Sequence, residues 1–429
     1  MSAWQFDIMT EAVFISLHFV VFLLSFYLLD KKISQPATLF AFIWFLITAA
    51  HLFFKLTVLE EMGTPAVETY LIFLTGNISF TCGSLIINQY YVPRFSAVIS
   101  PPPAPQPIHA NLRIFFTLFL LAALPLYIKK AFDIFIASQV EEFFMGIKYE
   151  ISYGEANFGV FIYLLQLSYV VFGINLYTWN VEKSRKNLVL MICSLSCALV
   201  YAVFASGRLH FFMVLCIYLG VTFFSGKKIA LKKIAMPALV FFLFFFLAGV
   251  IYKKGGDIDN SLSENIQSGT ESLGLYIVIP LDGLDYDLAR HVSENTDGER
   301  TFRFFIKLAK ETGIAPNLKP KKLLQEFVLT PYPTNVYTFY SSYILDFGKL
   351  YAWVMLFMYG MLHTFLYNIS LLKRRLNTIL YYSFLLFPLM LTFFDDLYMS
   401  VFSFWLQLIA FTEIILFADR VLKGKIRFR

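Results

Sequence analysis

Apolar runs close to the length of a bilayer crossing recur from one end of the chain to the other. Lipid offers a backbone no hydrogen-bonding partner, so a segment of about 20 residues must pair its amides internally and does so as a helix. The strands of membrane barrels are about half that length and alternate in polarity, which these runs do not. Composition agrees, with 58% of the 429 residues hydrophobic and 15% charged, against about 25% charged in an average soluble domain. The expected fold is all-α and polytopic, a single membrane domain over residues 1–429.

Hydropathy places spans at 12–29, 37–57, 69–90, 113–131, 157–179, 187–205, 211–224, 234–252, 349–370, 378–394 and 399–418, eleven in all. If Lys31 and Lys32 face the cytoplasm, alternate loops collect Arg94 and Arg113, Lys183 to Lys186, Lys227 to Lys233, Lys373 to Arg375 and the basic tail from Arg420. The opposite short loops hold far fewer cations, which satisfies the positive-inside rule. The amino terminus then lies outside, the carboxyl terminus in the cytoplasm, and 253–347 forms one large external loop between the eighth and ninth spans.

Several function classes fall away. The formal charge of +6 is concentrated where cytoplasmic loops meet anionic headgroups, so it reflects topology and not a nucleic-acid partner. Cys82, Cys193, Cys197 and Cys216 fall within predicted spans and read as small apolar side chains. No cleavable signal peptide is expected, because the first apolar run lacks a basic leading region. The proline-rich stretch 101–107 reads as a stiff spacer. Asp257-Ile258-Asp259 and Asp285-Tyr286-Asp287 match a three-residue metal pattern too short to carry weight, and no phosphate-cradling glycine loop is present. No metal, nucleotide or other cofactor is expected.

Polar residues gather on the external side. In Ala205-Ser206-Gly207-Arg208-Leu209-His210, Arg208 stands where a helix begins. A guanidinium there adds a two-pronged donor to the free amides of the helix end, which suits phosphate or pyrophosphate; the alternative is a cation snorkelling to the interface. His210 is a candidate proton acceptor or a structural residue of the turn. After Glu299 the loop turns basic: Arg303, Lys307 and Lys310 share one helical face, and Phe302, Phe305 and Ala309 another. That segment reads as an amphipathic surface helix, with cations toward lipid or pyrophosphate oxygens or simply toward water.

His291, Asp282, Asp285 and Asp287 are further acid-base candidates. Within the spans, Asn77, Gln166, Gln407 and Glu413 should face the bundle interior. His18, His51 and His363 lack an evident acid or asparagine partner in the sequence, which disfavours a histidine-dependent acyltransferase. Asp395 and Asp396 stand at the external end of the tenth span, within reach of Arg208 or a loop cation.

The Ser206-Gly207-Arg208 turn, the Tyr276 to Leu281 segment ending in Pro280-Leu281, and the element from Asn335-Val336-Tyr337-Thr338 to Asp346-Phe347-Gly348 resemble, in order and placement, the bacterial oligosaccharide repeat-unit polymerases of the Wzy group. The resemblance covers about a quarter of the chain. It implies a GT-C-like glycosyltransferase of the inner membrane. Such an enzyme joins undecaprenyl-pyrophosphate-linked oligosaccharides at the periplasmic face for O-antigen or capsule, using no nucleotide sugar.

Membrane lipids and a chain-length regulator protein are the implied partners, with no nucleic acid. Under that reading Arg208, with Arg290, Arg300 and Arg303, neutralises the departing pyrophosphate, and Asn335, Tyr337 and Tyr340 hold sugar. Asp346 is then a catalytic base or, equally, a cap for the helix entering at Phe347. An O-antigen ligase and a non-enzymatic polysaccharide flippase or exporter are the alternatives.

Overall fold

A computed structural model describes residues 3–92, 106–154, 156–225, 262–291, 296, 298–318, 321 and 327–424. The predicted span 234–252, the Asp257-Ile258-Asp259 pattern and most of the proline-rich stretch lie outside the described residues.

The described chain is almost entirely helical: α1 (Ala3–Leu28), α2 (Pro36–Thr57), α3 (Val67–Ile86), α4 (Ala110–Ser138), α5 (Phe143–Tyr153), α6 (Ile162–Val181), α7 (Arg185–Phe204), α8 (Arg208–Phe224), α9 (Leu262–His291), α10 (Arg303–Glu311), α11 (Thr338–Phe347), α12 (Lys349–Lys373), α13 (Leu376–Met390) and α14 (Phe402–Leu422). One two-stranded hairpin, β1 (Val328–Leu329) with β2 (Pro333–Thr334), pairs Val328 with Thr334.

Among the described residues eight helices are long and apolar enough to cross a membrane, namely α1 to α4, α6, α7, α12 and α14, while α8 and α13 are apolar but shorter. The protein is an all-α, multi-pass membrane protein. Eight is fewer than the eleven spans expected: α8 and α13 stop short of a full crossing length, and 234–252 is not described. The predicted external segment 253–347 is itself largely helical where described, containing α9, α10 and α11.

Two compact units divide the chain. The first comprises Met1–Ile99, Thr270–Asn368 and Pro388–Phe402. Its core is aromatic: Trp44 lies against Phe73 with ring centres 4.8 Å apart, and Phe40 stacks on Phe80 at 4.2 Å. Glycines set the approach of α3 to α12. A Cβ on Gly83 would stand 2.0 Å from the Phe357 carbonyl oxygen, and one on Gly360 would stand 2.1 Å from that of Phe80. Two helices in lipid gain by such backbone proximity, since no hydrophobic force drives them together.

The second unit comprises Ser100–Gly269, Ile369–Phe387 and Ser403–Arg429. Here Tyr127 stacks on Phe158 at 4.6 Å, and the Tyr201 hydroxyl donates to the Leu120 carbonyl at 2.7 Å. Glu413 of α14 accepts from Asn377 (3.0 Å) and Tyr381 (2.5 Å) of α13, but its side chain is 40% exposed and does not face the interior as expected. Asn77 in the first unit and Gln166 in the second are buried, as expected of amides within spans.

Candidate functional site

Within the element from Asn335 to Gly348, Tyr337 to Asp346 forms a deeply buried part of the first unit. In α11 every residue from Thr338 to Asp346 is buried. Its first turn is sewn to the loop between α13 and α14, where the Thr338 amide donates to the Phe394 carbonyl (3.1 Å) and the Phe339 amide to that of Thr392 (2.9 Å). Further along α11, the Tyr343 hydroxyl donates to Asp396 Oδ1 at 3.0 Å. Asp396 also takes the amides of Tyr398 (2.9 Å), Met399 (3.3 Å) and Ser400 (3.0 Å), so its carboxylate organises the turn that leads into α14. The turn is backed by Tyr359, stacked on Tyr398 at 4.0 Å, and by His363, 2.8 Å from the Tyr398 hydroxyl.

Asp395, beside it, accepts from the Asp396 amide at 2.7 Å and remains partly exposed. Removal from water, reinforced by the Asp396 carboxylate, lifts its carboxyl to about 7, against the opposing pull of the Asp396 amide and the Arg300 guanidinium. Burial lifts Asp396 to about 6 despite its donors. Arg300 is thus a loop cation whose charge reaches Asp395, as the sequence allowed. Tyr276 of α9 lies flat on Phe394, ring centres 5.8 Å apart and planes within 4°, flanking the same loop. A partly exposed carboxyl near neutrality, within electrostatic reach of a cation and on a braced loop, is a characteristic arrangement for proton transfer.

Asp346 is fully buried, and its carboxylate takes the Thr296 hydroxyl, the Thr301 amide (2.6 Å) and the Arg300 amide (3.4 Å). It therefore holds the turn before α10, not the start of α12 that the sequence suggested it would cap. The reason is geometric: Asp346 lies inside the last turn of α11, so its side chain meets a segment about 45 residues earlier and not the helix that follows.

Tyr340 is buried against Trp44 and Phe73, with its hydroxyl donating to the Phe73 carbonyl at 3.4 Å. Tyr337 is buried at the start of α11, and Asn335 is half-buried. Both flank Val336, whose carbonyl would stand 2.6 Å from a Cβ on Gly283 of α9. Arg290 is exposed, with its guanidinium 4.6 Å above the Tyr286 ring. Arg303 is half-buried and opens α10, and its guanidinium is lowered by that burial. The aromatic residues of α10 make ring contacts, Phe302 on Phe347 at 5.7 Å and Phe305 on Phe402 at 5.2 Å, although Phe305 and Phe347 stay exposed.

Arg208 and His210 belong to the second unit. Arg208 is the first residue of α8 and is buried, with Gly207 as the cap residue. Ser206 adopts a left-handed φ of 56° and donates its hydroxyl to the Phe144 carbonyl at 2.8 Å. The His210 ring folds over Gly207, where a Cβ would stand 2.8 Å from its Cδ2. The structure thus brings Arg290, Arg300, Arg303, Asn335, Tyr337, Tyr340 and Asp346 into one unit, and Arg208 with His210 into the other.

A polar network in the first unit has no counterpart in the sequence expectations. His51 of α2 stands between two carboxylates, Glu11 of α1 at 3.2 Å and Asp282 of α9 at 3.1 Å, and Lys55 reaches Glu11 at 2.9 Å. Burial raises Asp282 above the usual carboxylate range, opposed by His51. Asp285 accepts the Ala66 amide (2.9 Å) just before α3, and Asp287 accepts the Ser341 hydroxyl of α11 (2.6 Å). The acidic run of α9 therefore fastens that helix to α2, α3 and α11 in turn. His51, His18 and His363 all have partners, contrary to expectation: His18 pairs with Asn77 at 3.1 Å and His363 with Tyr398. These partners lie tens to hundreds of residues away, and the only sequence signal was that Glu11, His51 and Lys55 interrupt apolar runs.

No family model matches the chain, and no solved structure matches it. A curated protein of Escherichia coli (strain K12) named "Putative O-antigen polymerase" is 26% identical over 136 residues. The match covers 32% of this chain and 33% of that protein, so the chain spans about a third of its relative's length. This partial similarity and the helical membrane architecture fit a polysaccharide-related membrane protein.

Proposed function

We propose that the protein is a lipid-linked-sugar-dependent glycosyltransferase of the bacterial inner membrane, one that polymerises undecaprenyl-pyrophosphate-linked oligosaccharide units at the periplasmic face. Eleven spans, an external amino terminus and a cytoplasmic carboxyl terminus belong to the same proposal. The observation that carries it is the Asp395 carboxyl, partly exposed and lifted to about 7, within electrostatic reach of Arg300 on a loop fixed by α11. The likeness to a relative named as an O-antigen polymerase supports the same reading.

In the proposed reaction, the acceptor sugar hydroxyl attacks the anomeric carbon of the donor chain. The bond from that carbon to the pyrophosphate oxygen breaks, and the hydroxyl proton passes to Asp395. We assign the proton to Asp395 and not to Asp346, whose carboxylate is already committed to three donors. Arg300, with Arg290 and Arg303 on neighbouring segments, supplies positive charge for the leaving pyrophosphate. Arg208 at the start of α8 is a second pyrophosphate-binding candidate, and its guanidinium fork distinguishes it from a lysine.

Deleting the gene and sizing the surface glycan tests the reading. Collapse of a ladder to single repeat units, restored by the intact gene and not by Asp395→Asn, is the expected result. Loss of capped material while long lipid-linked chains accumulate would indicate a ligase, and an unchanged ladder would exclude glycosyl transfer. Arg208→Ala and Arg208→Lys are both expected to shorten the ladder; full activity of the lysine form would assign Arg208 a role of charge alone.

A further inference from the structure

Four helix ends of the second unit meet around one arginine. Arg113, in the first turn of α4, is 5% exposed. Its Nε donates back to the Ile108 carbonyl (3.2 Å) and its Nη2 to Asn187 Oδ1 (2.8 Å) in the first turn of α7. The end of α6 joins through the Glu182 carbonyl, which accepts from the Asn187 amide group at 3.0 Å. The end of α14 joins through Asp419, which takes the His109 amide at 2.7 Å, and through Lys423, which donates to the Pro107 carbonyl at 2.8 Å.

The third guanidinium nitrogen, Nη1, is buried and has no hydrogen-bond partner among the described residues. An unsatisfied donor on a buried cation is costly and calls for an acceptor. The starts of α4 and α7 both bring positive dipole ends to this point, which favours an anion, while the Asn111 amide is capped by His109 and the Asn187 amide by Ser184. Exposed Lys183, Arg185 and Lys186 add positive charge, and the exposed Glu182 is the carboxylate whose charge reaches Arg113. Because α4, α6, α7 and α14 are all candidate spans ending here, the site lies at headgroup depth.

We propose that Arg113, between the amino-terminal ends of α4 and α7, forms a phosphate-binding site that takes the headgroup of an anionic glycerophospholipid. Nη1 donates to a phosphate oxygen, while the Nε and Nη2 bonds hold the guanidinium in place. The site stands independently of the glycosyl-transfer reading.

Native mass spectrometry of the full-length protein in detergent, offered equal amounts of phosphatidylglycerol and phosphatidylcholine, tests this. Retention of one phosphatidylglycerol with about tenfold preference is expected, and Arg113→Gln is expected to abolish the preference. Asn187→Asp, which sets a carboxylate against the guanidinium, should abolish it too and decides the matter if Arg113→Gln does not fold. Equal retention of both lipids by the wild type, or an unchanged preference in Asn187→Asp, overturns the proposal. A rise in Tm with inorganic phosphate equal to that with phosphatidylglycerol assigns the site to free phosphate and overturns the lipid.

Discussion

The Tyr343 hydroxyl meets Asp396 Oδ1 at 3.0 Å, joining the middle of α11 to the turn that begins α14. Three backbone amides share that carboxylate, so Asp396 is a fully bonded buried charge whose removal orphans four donors. Asp396→Ala is expected to prevent a stable fold. Tyr343→Phe removes one donor to Asp396, together with the 3.1 Å hydroxyl contact to Tyr359, and should cost about 1.5 to 3 kcal/mol, the range for a hydrogen bond to a charged group. Thermal unfolding in detergent reads the difference, and equal Tm values for the two variants would refute this account of the turn.

Asp395 makes a separate prediction from the same loop. If it accepts the hydroxyl proton, transfer requires its ionised form, so the rate should rise with pH through about 7 and level off above it. Asp395→Asn should be inactive at every pH while keeping a wild-type Tm below about pH 4. Stability runs the other way. A carboxyl whose folded pKa is raised from 3.8 to about 7 contributes stability that is complete below about 4 and is lost as pH rises through 7. The asparagine form should lose that slope. A pH profile of polymer formation that keeps its rise near 7 in Asp395→Asn would assign the proton to another group.

The buried Glu11–His51–Asp282 alignment predicts a strong context effect. His51→Leu leaves two carboxylates facing each other without their shared partner, and about 3 to 5 kcal/mol of destabilisation is expected. Asp282→Asn retains an acceptor for the imidazole and should cost less, about 1 to 3 kcal/mol. Because α9 is held to α2 through this bond, both variants should also increase proteolysis within α9. Unchanged protease sensitivity in His51→Leu would show that Asp285 and Asp287 suffice to dock that helix.

The contrast between these sites marks what a sequence can disclose. Lipid forces each long apolar run into a helix, so the eight crossing-length helices among the described residues were legible, and the short Ser206-Gly207 turn made the start of α8 legible as well. The beginning of α1 was not: Glu11 reads as the polar edge of a span, yet Lys55 and His51 partner it inside the bundle, and the helix extends back to Ala3. α9 was hidden for the same reason. Its carboxylates look like loop solvation until their donors on α2, before α3 and on α11 are known, and those partners are up to 231 residues away. Spacing reports neighbours on one helix face; it carries no information about which distant donor a buried carboxylate meets.

The closest approach of α3 to α12 offers a test of packing free of charge effects. Gly83 faces the Phe357 carbonyl and Gly360 faces that of Phe80, so the two contacts are reciprocal, one on each helix. At 2.0 and 2.1 Å a methyl group cannot be accommodated by turning a side chain, because the obstacle is backbone. Gly83→Ala and Gly360→Ala should each force the helices apart and cost at least the 1 to 3 kcal/mol typical of overpacking, about the upper end here. Once one alanine has separated the helices, the second meets less resistance, so the double variant should cost clearly less than the two singles combined. Additive losses of Tm would mean that the two contacts yield independently and that α3 and α12 do not move as rigid neighbours.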